Sequence, residues 1–221
     1  SPVVNTLERA GAIVIGRTNT PEFSFRGTTV NELHGRTLNP WNDWASSGGS
    51  SGGASTAVMA GMGPISHGND IAGSLRYPAA ATGAASVKPG LGRTPAYNPS
   101  AGAERGLVAQ LMSVQGVICR EIRDVRLAMQ SLVEYDPHDP WQVPMPFRGP
   151  APEGPVTGAF TRNSLGFAID PAVNLALDAA RDALVDAGYA VVEAEPPMTE
   201  ALASDGLRVL LATLRLGAYR E

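Results

Sequence analysis

The sequence is poor in lysine, in cysteine and in long hydrophobic runs, and each shortage excludes a class of protein. Its 221 residues contain one lysine, Lys88, and one cysteine, Cys119. A single cysteine cannot form a disulfide within the chain, which fits a reducing compartment and predicts a cytoplasmic location. No apolar run approaches the roughly 20 residues of a membrane-spanning helix, and the N-terminal residues lack the regions of a signal peptide. We therefore expect no membrane partner.

The chain also has no excess of positive charge. The formal net charge is −4, and the basic residues form no cluster, which argues against nucleic acid as a partner. With 43% hydrophobic and 17% charged residues, the composition is that of a globular protein. At this length the chain can bury a substantial core in one or two domains.

Helical and strand-like patterns alternate along the chain, which predicts an α/β protein. Helices are predicted over residues 3–10, 55–61, 121–135, 170–187 and 199–219, the last with a break at Asp205–Gly206. Strands are predicted over residues 12–15, 64–69, 156–161 and 189–192, and extended, partly buried chain over 107–117. Loops or connectors are predicted over residues 17–44 and 78–92, and a proline-rich surface segment over 136–155. The first residue is not methionine, and the helical pattern at the C-terminus has no stop. We therefore expect the sequence to be truncated at both ends.

Residues 46–76 contain two serine clusters embedded in glycine. The first, GGSSGG over residues 48–53, is by itself typical of a flexible turn. A phosphate-binding loop would need a lysine and a Ser or Thr directly after the glycines, but Ala54 and Ser55 follow here. A serine among closely spaced backbone N–H donors can instead attack a carbonyl and have the resulting oxyanion stabilised. Nucleophilic chemistry is therefore the favoured interpretation.

A second cluster, GNDIAGSLR over residues 68–76, places Ser74 24 residues after Ser50. The two coupled motifs resemble those of the amidase signature family, and flanking matches occur at residues 16–23, 38–41 and 87–93. The resemblance covers essentially the whole chain. It implies one partial amidase signature domain over residues 1–221, with a mixed, twisted β-sheet covered by α-helices. Within it lie the serine motifs (46–76), the proline-rich segment (136–155) and a helix-strand-helix segment (156–221).

The resemblance implies a catalytic role for each serine. Ser74 would be the nucleophile that forms an acyl-enzyme, and Ser50 would be a bridging serine that follows a cis peptide bond at Gly49. An oxyanion hole would be formed by the backbone N–H groups of Ile71, Ala72, Gly73 and Ser74. Ala72 replaces a glycine of the family pattern, which is compatible with a negative φ. No metal or organic cofactor is implied.

Other polar residues are given supporting or structural roles. Asp70, six residues before Arg76, is interpreted as a buried structural partner of that arginine rather than as a catalytic acid. Ser51 is expected to orient Ser50. The three histidines, His34, His67 and His138, have no metal-like spacing and are expected to be structural or on the surface. Cys119 is expected to be an inert, small hydrophobic side chain.

The general base of the family is a lysine well before the GGSSGG motif, and the resemblance places it upstream of residue 1. Lys88 matches a later, structural landmark of the family and is not expected to be the base. A fragment without catalytic activity therefore stays open as an alternative to an enzyme.

The predicted reaction is hydrolysis of a carboxylic amide to an acid and ammonia or an amine. The alternative is an amidotransferase subunit that passes ammonia to a partner protein. The substrate is expected to be a small-molecule amide, and the family suggests a homodimer.

Overall fold

The computed structural model describes residues 1–102, 105–196, 198–206 and 208. The chain divides into two compact units, Ser1–Phe147 and Arg148–Glu221. A single folding domain over residues 1–221 stays a prediction. No helix within the described ranges has the length and apolar character to cross a lipid bilayer.

The first unit contains five helices and five strands among its described residues, together with a short 3-10 turn at Glu22–Ser24. The helices are α1 (Pro2–Arg9), α2 (Gly52–Met59), α3 (Arg76–Thr82), α4 (Leu107–Met112) and α5 (Ile122–Leu132). The strands are β1 (Val30–Asn31), β2 (Gly35–Arg36), β3 (Ile65–Asp70), β4 (Ala85–Ser86) and β5 (Val114–Cys119). Strands β1 and β2 form a hairpin, while β5 lies between β3 and β4 in an antiparallel sheet.

Strand β5 is the centre of the core because its successive side chains enter two different clusters. Val117 and Cys119 pack with residues of α1 and α5, including Val3 and Leu132. Ile118 packs instead with α2 and α3 and with Leu75. Neighbouring side chains of a strand point to opposite faces of the sheet, so both faces are covered by helices. Burying a side chain of this size contributes about 1.5–3 kcal/mol, and β5 contributes to both faces.

The second unit contains β6 (Thr157–Phe160), α6 (Pro171–Asp186) and β7 (Ala190–Glu193). β6 and β7 pair in parallel, with Thr157 opposite Ala190. Asp170 caps the helix by accepting a hydrogen bond from the Ala172 N–H at 2.8 Å, and Gly188 follows it with φ +87°. The predicted cap, helix and flanking strands of this unit are confirmed.

The predicted helices over 3–10 and 121–135 and the predicted strand over 64–69 are likewise confirmed as α1, α5 and β3. The 17–44 segment is largely irregular, as predicted, and the helix predicted over 55–61 begins earlier, at Gly52. The α/β class is therefore confirmed, with antiparallel pairing in the first unit and parallel pairing in the second.

The strand predicted over residues 12–15 is wrong. These residues have no regular structure, and the Ile13 and Ile15 side chains are 85% and 76% exposed. An apolar, β-branched run becomes a strand only where a neighbouring strand accepts its hydrogen bonds. None of the described strands pairs with it.

Two predicted stretches of irregular or extended chain contain helices instead. Residues 78–92 begin within α3, where Pro78 lies in the first turn and needs no hydrogen-bonding N–H, and three alanines follow it. Residues 107–117 contain α4 before β5, because Leu, Ala, Gln and Met favour a helix.

Two further differences concern the later part of the chain. The 136–155 segment is free of helix and strand as predicted, but it is not wholly on the surface, since Asp139 and Gln142 are buried. Residues 200–206 are helical, including Asp205 and Gly206, so the break predicted there is wrong. The rest of the helix predicted over 199–219 lies, apart from residue 208, outside the described residues.

The environment of Cys119 predicts a thiol that is unreactive in the folded protein. Burial, with a smaller contribution from the Asp124 carboxylate, raises the pKa of this thiol to about 12. Because the thiolate is the reactive form, we expect iodoacetamide at pH 8 to modify Cys119 about 1,000-fold more slowly than in concentrated urea. Peptide mass spectrometry measures both rates. Rapid labelling under native conditions would contradict the buried placement of β5.

Candidate active site

The two serine motifs predicted from the sequence meet in the structure. The first lies in the loop that leads into α2, and the second lies in the turn between β3 and α3. The Ser51 N–H donates to the Ser74 carbonyl oxygen at 3.3 Å, which joins the two segments directly. Ser50 and Ser51 are buried, whereas Ser74 remains partly exposed.

The peptide bond between Gly49 and Ser50 is cis, as the resemblance implies. Gly49 also has a steric role, because a Cβ atom at this position would lie 2.6 Å from the Arg26 carbonyl oxygen. No other residue fits without moving the backbone. Gly49 therefore allows the chain to pack against the 26–28 segment, which the sequence does not reveal.

Asp70 organises the turn that carries Ser74. Its carboxylate is fully buried and accepts hydrogen bonds from the N–H groups of Gly73 at 2.7 Å and Leu75 at 3.1 Å. The Arg76 guanidinium adds two hydrogen bonds, at 3.0 and 3.1 Å. Burial alone would raise the pKa of Asp70, but the hydrogen bonds from Arg76, Gly73 and Leu75 outweigh it and hold the pKa below its ordinary value. The predicted structural pair of Asp70 and Arg76 is confirmed.

The four predicted oxyanion donors have different surroundings. The Gly73 N–H bonds the Asp70 carboxylate, so it would have to be shared to bind an oxyanion. Within the described residues, the N–H groups of Ile71, Ala72 and Ser74 donate to no protein group. Ala72 does not have a positive φ, so its Cβ is tolerated. Three backbone donors of this turn, one of them from Ser74 itself, therefore have no acceptor in the described part of the chain.

A family model described as Amidase matches residues 1–218. The chain belongs to the amidase signature family.

Individual members of the family are similar to this chain in sequence and in structure. The indoleacetamide hydrolase of Bradyrhizobium japonicum is 56% identical over 197 residues, covering 89% of this chain and 42% of that protein. A glutamyl-tRNA(Gln) amidotransferase subunit from Deinococcus radiodurans is 38% identical over 201 residues, covering 88% and 40%. The structure of 6-aminohexanoate cyclic dimer hydrolase complexed with substrate superposes with a TM-score of 0.77 at 34% identity, covering 89% and 42%. The chain thus spans about two fifths of the length of these relatives.

Sequence reasoning missed several residues that hold the amidase signature motifs in place. The buried Thr29 hydroxyl contacts the backbone on both sides of Ser50. Asn39 donates to the carbonyls of Ser46 and Ala81, and the Trp41 Nε1–H donates to the Thr82 carbonyl. Their partners are distant in sequence and follow no periodicity, so no local signal identifies them.

Helices α2 and α3, which follow the two serine motifs, are joined by buried hydroxyl groups. The Ser55 and Thr82 hydroxyl oxygens each lie 3.0 Å from the Pro78 carbonyl oxygen and 2.5 Å from each other, so the two hydroxyl hydrogens are shared among three oxygen atoms. This network fixes the distance between the helices that begin after Ser50 and Ser74.

Lys88 and the histidines make contacts outside the serine motifs. The Lys88 ammonium donates to the Met112 carbonyl at 3.3 Å, in the segment that enters β5. His67 bonds Gln115 across the β3–β5 pair, and His138 bonds Asp136 at 2.8 Å and stacks on Tyr97. These contacts agree with the structural roles predicted for them.

A separate cleft of about 580 Å³ lies in the first unit. Its walls include Tyr97, Arg105, His138 and Trp141. None of the predicted catalytic or oxyanion residues lines it.

The buried Asp70 carboxylate predicts a pH-dependent contribution to stability. Because the pKa of Asp70 is lower in the folded protein than its ordinary value of 3.8, this contribution is complete above pH 3.8 and is lost as the pH falls through the folded value. We expect Asp70→Asn to lower the free energy of unfolding by about 2–4 kcal/mol at pH 7, and by less below pH 3.8. Urea unfolding at several pH values measures both differences.

Glu134→Gln is the matched control, because it removes a carboxylate whose ion pair with Arg9 is more than half exposed. We expect it to change the free energy of unfolding by less than about 1 kcal/mol. Equal losses in the two variants would contradict the organising role of Asp70.

Proposed function

We propose that the protein hydrolyses a carboxylic amide through an acyl-enzyme on Ser74. The observation that carries this proposal is the junction of the two serine motifs, where Ser51 bonds the Ser74 carbonyl beside three free backbone donors. Family membership supports it, since the relatives include two hydrolases named for amide substrates.

The reaction begins with attack of the Ser74 Oγ on the amide carbonyl carbon. The Ser74 proton moves to Ser50, while Ser50 passes its own proton to a general base. The oxyanion that forms is stabilised by the N–H groups of Ile71, Ala72 and Ser74, and removal of one such donor in other enzymes costs about 2.7–4 kcal/mol. The Gly73 N–H joins them only if its bond to Asp70 is shared.

The second half of the reaction releases both products. The base returns a proton through Ser50 to the amide nitrogen, the C–N bond breaks, and ammonia or an amine leaves. Water then attacks the Ser74 ester and gives up a proton to the base through the same relay. The bond between the carbonyl carbon and the Ser74 Oγ breaks, the proton returns through Ser50 to the Ser74 oxygen, and the carboxylic acid departs. The base is proposed to be a lysine outside these 221 residues, because Lys88 bonds the Met112 carbonyl. A base of this kind must be neutral, which burial can achieve by lowering its pKa.

The similarity to the Bradyrhizobium enzyme narrows the substrate proposal. That enzyme is 56% identical to this chain over 89% of its length. We therefore propose an aromatic acetamide of the indoleacetamide type as the preferred substrate class. Such a substrate would release ammonia and an arylacetic acid. A cytoplasmic location and a homodimer stay predictions.

The Deinococcus amidotransferase relative, 38% identical to this chain, supports a second candidate, transfer of ammonia to a partner protein. The two reactions are distinguished by the behaviour of the purified protein alone. A hydrolase releases ammonia from an amide without a partner, whereas an amidotransferase subunit depends on one.

We expect Ser74→Ala in the complete gene product to lower kcat for indole-3-acetamide at least about 1,000-fold without unfolding the protein. A fluorophosphonate probe should label Ser74, as mapped by peptide mass spectrometry, and ammonia release measures turnover. Ser100→Ala, at an exposed serine, is the control and should change neither readout. Unchanged turnover in Ser74→Ala would disprove the assignment, and absence of labelling and turnover in the wild type would favour a non-catalytic protein.

A further inference from the structure

We propose that Thr29 is a positioning residue for the Ser50–Ser74 pair, and that its hydroxyl fixes the turn on which Ser50 lies. The inference rests on the proposed function. Thr29 lies in the polar 17–44 segment, just before β1, and its side chain is only 1% exposed.

The Thr29 hydroxyl bonds the backbone on both sides of the Gly49–Ser50 peptide. It donates to the Gly48 carbonyl oxygen at 2.9 Å and accepts from the Gly52 N–H at 3.1 Å. The Ser50 carbonyl oxygen also lies 3.5 Å from it. One oxygen atom therefore ties together the start and the end of the turn.

The bond to Gly52 also caps a helix. Gly52 is the first residue of α2, and its N–H has no partner within the helix. Ser51 occupies the N-cap position but makes no capping hydrogen bond with its side chain. Thr29 supplies that acceptor from 23 residues earlier in the chain. The residue before Gly52, Ser51, joins the second serine motif through its backbone N–H, which donates to the Ser74 carbonyl.

Thr29 is itself held by the β1–β2 hairpin. Its carbonyl accepts a hydrogen bond from the Thr37 N–H at 2.9 Å, next to the pairing of Val30 with Arg36. The hairpin therefore presents the hydroxyl, and the turn takes its position from it. Removing only the oxygen would leave the buried Gly52 N–H without its acceptor, and the buried Gly48 carbonyl with only the more distant Ser47 hydroxyl, at 3.4 Å.

Proton transfer through Ser50 requires hydrogen-bonding distances at each step, so a small displacement of its turn slows the reaction more than it weakens substrate binding. We expect loss of the Thr29 hydroxyl to lower kcat by about 10- to 100-fold and to change KM by less than about 3-fold. The rate at which a fluorophosphonate labels Ser74 should fall in parallel with kcat.

The test compares Thr29→Ser with Thr29→Ala in the complete gene product, because the two variants differ by one oxygen atom. Thr94→Ser and Thr94→Ala form the matched pair, since the Thr94 hydroxyl is also buried and donates to one backbone carbonyl, that of Gln115. The readouts are kcat and KM for indole-3-acetamide, the labelling rate of Ser74 and the melting temperature. Thr29→Val, which keeps the side-chain volume, replaces the alanine variant if that variant does not fold.

We expect kcat of Thr29→Ala to be about 10- to 100-fold below that of Thr29→Ser, and kcat of Thr29→Ser to be within about 3-fold of the wild type. Thr94→Ala should have a lower melting temperature than Thr94→Ser, with no comparable loss of kcat. Equal effects at the two positions, or failure of Thr29→Ser to retain activity, would overturn the inference. A wild type no more active than Ser74→Ala would instead refute the proposed function, so the two failures are distinguishable.

Discussion

The buried carboxylate of Asp70 is the constraint on which the rest of the site depends. Asp70 is the last residue of β3, and its carboxylate accepts hydrogen bonds from N–H groups of the next turn. The chain must therefore bend back around this carboxylate. A buried carboxylate that lost these donors would be strongly destabilising. The position of Ser74 therefore follows from the need to satisfy Asp70, because Ser74 lies between two of the residues that bond it, Gly73 and Leu75.

The sheet beneath this turn has two glycines that leave room for the Leu75 side chain. Gly68 of β3 and Gly116 of β5 are paired across the strands, and a Cβ atom at either would lie within 2.7 Å of the Leu75 side chain. Leu75 is fully buried over this glycine pair, between the strands and helices α2 and α3. The residue after the nucleophile is thus part of the core, which joins the position of Ser74 to the packing of the whole unit.

The sequence predicted the parts of this arrangement that local signals determine. The pairing of Asp70 with Arg76 and the cap at Asp170 follow from nearby residues, whereas the meeting of the Ser50 and Ser74 motifs is what the family resemblance implied. The strand predicted over 12–15 failed because β structure depends on a partner that a local pattern cannot reveal. Thr29 was missed for a related reason, since a threonine in a polar loop gives no sign of a contact 19 to 23 residues away.

The charge balance around Ser74 explains how a carboxylate can lie so close to a site proposed to stabilise an anion. The depressed pKa of Asp70 keeps it ionised at neutral pH, so it is not suited to proton transfer there. An isolated negative charge would oppose an oxyanion on Ser74, and more strongly in a poorly hydrated site. The Arg76 guanidinium, bonded to both carboxylate oxygens, cancels that charge. The N–H groups of Ile71, Ala72 and Ser74, which we propose as oxyanion donors, are therefore not opposed by an isolated charge, and Asp70 holds the turn that carries them through the N–H groups of Gly73 and Leu75.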